Sequence, residues 1–300
     1  MSSMFTGVKV LQTTKEEIDN TYKENKISLD KFDGRLHLKD NQNQYVVLND
    51  KVFDENGEET FGGSASIITR VGGEYLHRVG LDRKDMISGV CARNKEQIMA
   101  LDALLDPSIG VVTLTGSAGT GKTLLTLSAA LHLIDRQEYD KIILTRPMTQ
   151  VGKHPIGILP GEVDEKFGPY LKNYMCNFEH LLGRRKSIDD LIAFYQMEFI
   201  PFSLIRGASW PNTIIIADEM QNADGHEILT LGTRVGDASK LIIMGDLNQR
   251  DEKINREKTG MFQWINHHKV RSSTMTASVH LIKCERSATA ALFSEVFEEK

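Results

Sequence analysis

The chain has 300 residues, 40% of them hydrophobic and 26% charged, the balance of a globular protein with one large domain or one large and one small. Its net charge of −5 gives no global electrostatic case for binding nucleic acid, and no apolar run reaches the roughly 18 residues of a membrane-spanning helix. The first residues lack the basic start and apolar stretch of a signal peptide, and Cys91, Cys176 and Cys284 fit no metal-ligand spacing, so they read as reduced thiols of a cytoplasmic protein with no membrane partner.

Residues 8–11 predict a short strand and residues 14–23 a short helix, with Thr14 as N-cap and Glu17 completing a capping box. Strand-like pieces follow at 44–48, 65–71 and 75–79, separated by polar turns at 39–43 and 54–58. Residues 1–85 thus read as a small β-rich N-terminal domain. They hold no cluster of acidic or metal-ligating residues, and a structural or interaction role is expected of them.

Residues 86–300 read as α/β. An amphipathic helix at 94–105 puts Ile98, Leu101, Leu104 and Leu105 on one face. Five apolar, β-rich runs follow at 110–114, 141–144, 213–217, 240–244 and 278–282. Alternating with helices, they predict a parallel sheet covered on both faces. A helix at 224–233 opens on the capping pair Asp224 and Glu227, and a last helix covers 287–298. The long connection 147–201 must hold helices of its own, near 162–182 and 187–196. Open α/β sheets bind ligands at the carboxyl ends of their strands, where this insertion begins.

The run Gly116, Ser117, Ala118, Gly119, Thr120, Gly121, Lys122, Thr123 fits the phosphate-loop pattern G-x-x-x-x-G-K-[ST] between a strand and a helix. Glycines let successive backbone N–H groups turn inward onto phosphate oxygens. Lys122 would bridge the terminal phosphates and Thr123 would hold Mg²⁺. A second apolar strand ends in Asp218-Glu219: Asp218 would hold Mg²⁺ through water, and Glu219 would orient and deprotonate an attacking water. A third ends in Gly245-Asp246-Leu247-Asn248-Gln249, where the Gln249 amide is a candidate sensor of the terminal phosphate.

In order, these residues resemble the PhoH-like ATPases, whose core is related to superfamily 1 helicases. The resemblance rests on Asn94 and Gln97, the phosphate loop, Thr145-Arg146-Pro147, Gly157 to Gly161 with Glu165-Lys166 and Pro169-Tyr170, Arg206-Gly207, Asp218 to Asn222, Thr233-Arg234 and Gly245 to Gln249. It implies an α/β fold of the RecA-like P-loop NTPase type over 86–300, with ATP and Mg²⁺ as cofactors. Gln97 would read the adenine edge, and Gln221 would couple hydrolysis to a partner surface. Longer relatives carry an N-terminal PIN nuclease. Here the first strand ends in Gln12-Thr13-Thr14 rather than an aspartate, so no nuclease activity is expected.

Hydrolytic P-loop sites use a cation to offset charge on the transferring phosphoryl group. Superfamily 1 helicases draw it from a second domain of the same chain; this sequence has room for only one such domain. The arginine is therefore expected from a neighbouring subunit, which implies a homo-oligomer, a hexameric ring in this family. Arg234, Arg286 and Arg206 are the candidates. Two functions follow. One is a ring-forming ATPase motor on single-stranded nucleic acid, RNA favoured, with Thr145-Arg146-Pro147 where helicases contact the strand. The other is an ATP-dependent switch or scaffold acting on a protein partner.

Overall fold

The computed structural model describes residues 9–32, 38–50, 52–53, 59–60, 65–147, 174, 176–181, 188–250, 255–285 and 296. Their N-terminal part forms a five-stranded sheet. Its strands β1 (Lys9–Thr13), β2 (Lys26–Ser28), β3 (Tyr45–Asp50), β6 (Ser66–Gly72) and β7 (Tyr75–Arg78) lie in the order β1-β3-β6-β7-β2, with β4 (Val52–Phe53) and β5 (Glu59–Thr60) as a separate ladder. Helix α1 (Lys15–Glu24) starts on the expected box: Thr14 accepts from the Glu17 backbone N, and the Glu17 carboxylate accepts from the Thr14 backbone N.

The alternation of β3 decides how this sheet is used. Val46 and Leu48 face Ile18 of α1, in a core shared with Ile67 and Leu76. Tyr45 and Val47 point the other way and belong to the large core of the α/β part. Polar contacts follow the same line. The Tyr45 hydroxyl donates to Asp102 at 2.7 Å, and Arg70 pairs with Asp102 at 3.1 Å and Asp106 at 2.5 Å. The Asn43 amide donates to the Thr274 and Thr276 carbonyls at 2.8 and 3.1 Å. The N-terminal sheet is thus packed between its own helix and the domain that follows.

A short hairpin, β8 (Met86–Ile87) and β9 (Val90–Cys91), leads into α2 (Lys95–Leu105). The remaining strands, β10 (Val111–Gly116), β11 (Lys141–Thr145), β12 (Met197–Phe199), β13 (Thr213–Ala217), β14 (Lys240–Gly245) and β15 (Thr276–Leu281), form one sheet in the order β12-β11-β13-β14-β10-β15. Every pairing in it is parallel. Side chains of period two serve two cores. Val112, Leu114, Ile142, Ile214, Ile216, Ile242 and Met244 join the core that holds α2 and α3 (Lys122–Asp135). Ile143, Ile215, Leu241 and Ile243 join a second, with α5 (Gly225–Gly232) and α6 (Gly260–Asn266) on that face, while α4 (Ile188–Phe194) puts Leu191 into the first core. A short α7 (His268–Arg271) precedes β15.

This is the expected α/β, RecA-like P-loop architecture. All five apolar runs are strands. The sixth, β12, is a three-residue edge strand beside β11, too short to show any periodicity. Of the helix expected at 162–182, Tyr174 and residues 176–181 are described, and they are helical. The Gly157–Tyr170 block and all but Val296 of the last expected helix lie outside the described residues.

Candidate active site

The sheet order places the carboxyl ends of β10, β14, β13 and β11 side by side, with β14 between the phosphate-loop strand and the acidic strand. From β10 the chain crosses to β11 on one side, and from β14 to β15 on the other. A crevice at such a reversal is where open sheets bind ligands. A cavity of about 520 Å³ opens there, lined among others by Lys122, Thr123, Arg146, Asp218, Glu219 and Gln249.

The loop from Gly116 to Gly121 turns from β10 into α3, fourteen residues long, whose N-terminus points positive partial charge at the cavity. Gly121 is left-handed (φ 97°), and a Cβ there would stand 3.1 Å from Gln97 Nε2. The Lys122 ammonium donates to the Gly116 and Ser117 carbonyls at 2.6 and 2.9 Å and lines the cavity. Thr120 closes the loop by donating from its hydroxyl to Ser117 O at 2.9 Å.

Beneath the loop, Asn94 caps α2: its Oδ1 accepts from Gln97 N at 2.9 Å, and its Nδ2 donates to Glu285 at 2.9 Å. The Gln97 side chain is buried. Its Nε2 donates to Thr120 O at 3.1 Å, and its Oε1 accepts from Arg93 N at 2.8 Å. Gln97 thereby fixes the loop's backbone. It also lines a second cavity of about 660 Å³, which shares Gly119, Gly121, Leu124, Cys176 and Asn177 with the first.

Across the first cavity, Asp218 follows β13, and its Oδ1 accepts from Glu219 N at 2.9 Å. Its Oδ2 accepts from the Tyr174 hydroxyl at 2.9 Å. Burial raises the Asp218 pKa, and the neighbouring Glu219 charge adds to that; the Tyr174 hydrogen bond opposes both. Burial, then Asp218, holds the Tyr174 phenol well above its ordinary value, so it stays a donor. Glu219 is itself left-handed (φ 57°) and accepts from Gln221 Nε2 at 2.7 Å. Just past β14, Asp246 O accepts from Gln249 N at 2.9 Å, which starts the turn that carries the exposed Gln249 to the cavity. Among the described residues, Asp246 Oδ2 is buried without a hydrogen-bond partner.

Arg206 is exposed in the turn after β12, and Arg234 donates to Ala208 O at 3.2 Å and to Thr233 at 3.2 Å. Neither lines the phosphate cavity, and Arg286 lies outside the described residues. Tyr174, Asn177 and Glu285 also line or brace these cavities, and no sequence motif marks them. Arg146, expected where helicases contact the strand, lines the phosphate cavity. Its position one residue past β11, at the ligand end of the sheet, was the available signal.

A family model described as PhoH-like protein matches residues 89–298. The chain belongs to the PhoH-like family. It is 36% identical over 302 residues to Protein PhoH2 of Bacillus subtilis, covering 98% of this chain and 64% of that protein. It is 34% identical over 245 residues to Protein PhoH2 of Mycolicibacterium smegmatis, covering 81% and 55%. The chain therefore spans 64% and 55% of the length of these two relatives. Among solved structures it is similar to the Pif1 helicase of Candida albicans, with 17% identity, 70% of this chain and 44% of that chain covered, and a TM-score of 0.37. No helix among the described residues is long and apolar enough to cross a membrane.

Proposed function

We propose that this PhoH-like chain is a Mg²⁺-dependent ATP hydrolase of the cytoplasm that works as a hexameric ring on single-stranded nucleic acid, RNA favoured. The observation that carries the reading is the convergence of Lys122 and Thr123 with Asp218, Glu219 and Gln249 around one cavity.

The oxygen donors there fit the ion. Thr123, Asp218 and Asp246 line the same cavity with hard oxygen donors, Asp246 Oδ2 having no hydrogen-bond partner among the described residues, and Mg²⁺ takes few carboxylates beside water and phosphate. Thr123 and Asp218 would hold it; bound, Mg²⁺ neutralises developing charge on the phosphate oxygens. The loop N–H groups and Lys122 bind the phosphates. Glu219, fixed by Gln221, takes a proton from the attacking water while a water oxygen bonds to the terminal phosphorus and the bond to the ADP oxygen breaks. Gln249 stands at the exposed rim, where an amide can both donate and accept. Arg146 supplies positive charge within the chain, and the remaining charge balance is assigned to an arginine of the next subunit, Arg234 first.

Steady-state ATP hydrolysis with and without poly-U RNA and single-stranded DNA tests the reading. Stimulation by RNA, with binding that weakens steeply as salt rises, supports it. Turnover untouched by either polymer, together with no binding at low salt, overturns the motor and leaves the protein-partner switch.

A further inference from the structure

Tyr174 belongs to none of the motifs, yet it touches the acidic strand end. Its side chain is 2% exposed, and its hydroxyl donates to Asp218 Oδ2 at 2.9 Å. The other oxygen of Asp218 accepts from Glu219 N at 2.9 Å. The carboxylate is thus gripped on both sides, once by its own strand end and once by a helix residue 44 positions away in sequence. A carboxylate offers about four acceptor sites, so each oxygen keeps capacity for the water shell of an ion. The grip is stiff, because one turn on Phe178 packs in the large core. The same helix presents Cys176 and Asn177 to both cavities and His180 to the second. One helix therefore walls the nucleotide cavity and aims the acidic side chain within it.

We infer that Tyr174 is a positioning residue for Mg²⁺, holding the Asp218 carboxylate in the orientation that serves the ion; this rests on the nucleotide-hydrolysing reading above. Mg²⁺ demands near-octahedral geometry and gives up water reluctantly, so a carboxylate free to rotate is a poor partner. Donors that stand behind metal ligands typically carry about 10–100-fold in metal affinity.

Tyr174→Phe keeps the buried ring and removes only the donor. In the full chain, binding of a fluorescent ATP analogue is measured in EDTA and again as Mg²⁺ is titrated, with thermal unfolding in EDTA as a check on folding. The expected result is wild-type affinity in EDTA and a roughly 10-fold higher Mg²⁺ concentration for half-maximal tightening. An unchanged Mg²⁺ midpoint overturns the inference. So does a lower one, which would make Tyr174 a competitor of the ion, and so does an equal loss with and without Mg²⁺, which would make it only a wall. A wild-type chain that binds the analogue under neither condition overturns the nucleotide reading itself, a separate failure.

Discussion

Gln221 donates from Nε2 to Glu219 Oε2 at 2.7 Å. Its other end, Oε1, accepts from the backbone N of Asp246 at 3.3 Å. One buried amide therefore ties the ends of β13 and β14 together and holds the candidate general base. Gly245 makes room for it: a Cβ there would lie 2.8 Å from Gln221 Oε1 and 3.0 Å from Gln221 N. Gln221→Leu is expected to lower kcat about 10²-fold, the scale of a misplacement near 1 Å, while nucleotide affinity stays close to wild type. Gly245→Ala should move kcat in the same direction by displacing Gln221. Single-turnover hydrolysis beside equilibrium binding separates the two quantities.

Lys122 and Glu219 should fail in different ways. Lys122→Ala removes the cation from the phosphate loop, and nucleotide binding should be lost. Glu219→Gln keeps shape and hydrogen bonding but cannot take a proton. Its turnover should drop by about 10²–10⁴-fold, the usual worth of a positioned base, with binding retained. A Glu219→Gln variant with full turnover would remove Glu219 from the chemistry.

Gln97 bridges Arg93 N and Thr120 O through its two amide ends. Gln97→Ala leaves a backbone donor and a loop acceptor without partners, at roughly 1–3 kcal/mol of stability. Because Thr120 is in the loop, nucleotide affinity should fall as well. Denaturant unfolding and nucleotide titration on one sample check both effects.

Lys240 is fully buried in β14 and donates to the Asp106 and Ile109 carbonyls at 2.8 and 2.7 Å, closing the end of α2. Burial lowers its pKa from 10.5 to about 8, with Asp106 opposing the shift. The unfolded chain therefore holds this proton over a range where the folded chain has released it. Stability from this group is fully present above about 10.5 and is lost as pH falls through about 8. Wild type minus Lys240→Met, measured by unfolding at several pH values, should show that slope between pH 8 and 10. A flat difference would remove Lys240 as its source.

Arg70 pairs with Asp102 and Asp106, and Tyr45 donates to the same Asp102. Burial raises the Asp102 pKa, and Arg70 is the first group that opposes it. The side chains are about a fifth exposed, so solvent screens part of the interaction. Arg70→Ala should still cost about 1–3 kcal/mol, because it strands a partly buried carboxylate. A double-mutant cycle with Asp102→Asn, followed by thermal unfolding, measures the coupling.

Several features were legible along the chain because their causes are local. Thr14 with Glu17 and Asp224 with Glu227 cap their helices through side chains three residues apart. The phosphate loop is one contiguous run, and β-branched runs such as 213–217 announce strands buried on both faces. Tyr174 and Asp218 are far apart in sequence, and their hydrogen bond depends on how a long insertion returns to the sheet. Gln97 was readable as an amide near the loop, but its grip on Thr120 O was not, since that needs the packing of α2 against α3.

The sequence by itself determined the element types, the sheet's parallel character and the chemistry of the phosphate loop and acidic pair, because periodicity and short motifs are set by neighbouring residues. Tertiary structure alone decided the strand order that puts β14 between β10 and β13. It also decided that Arg146 faces the phosphate cavity, and that Tyr45 and Val47 join the N-terminal sheet to the large core. These are long-range pairings. They are fixed by which faces bury together, and no window of sequence contains both partners.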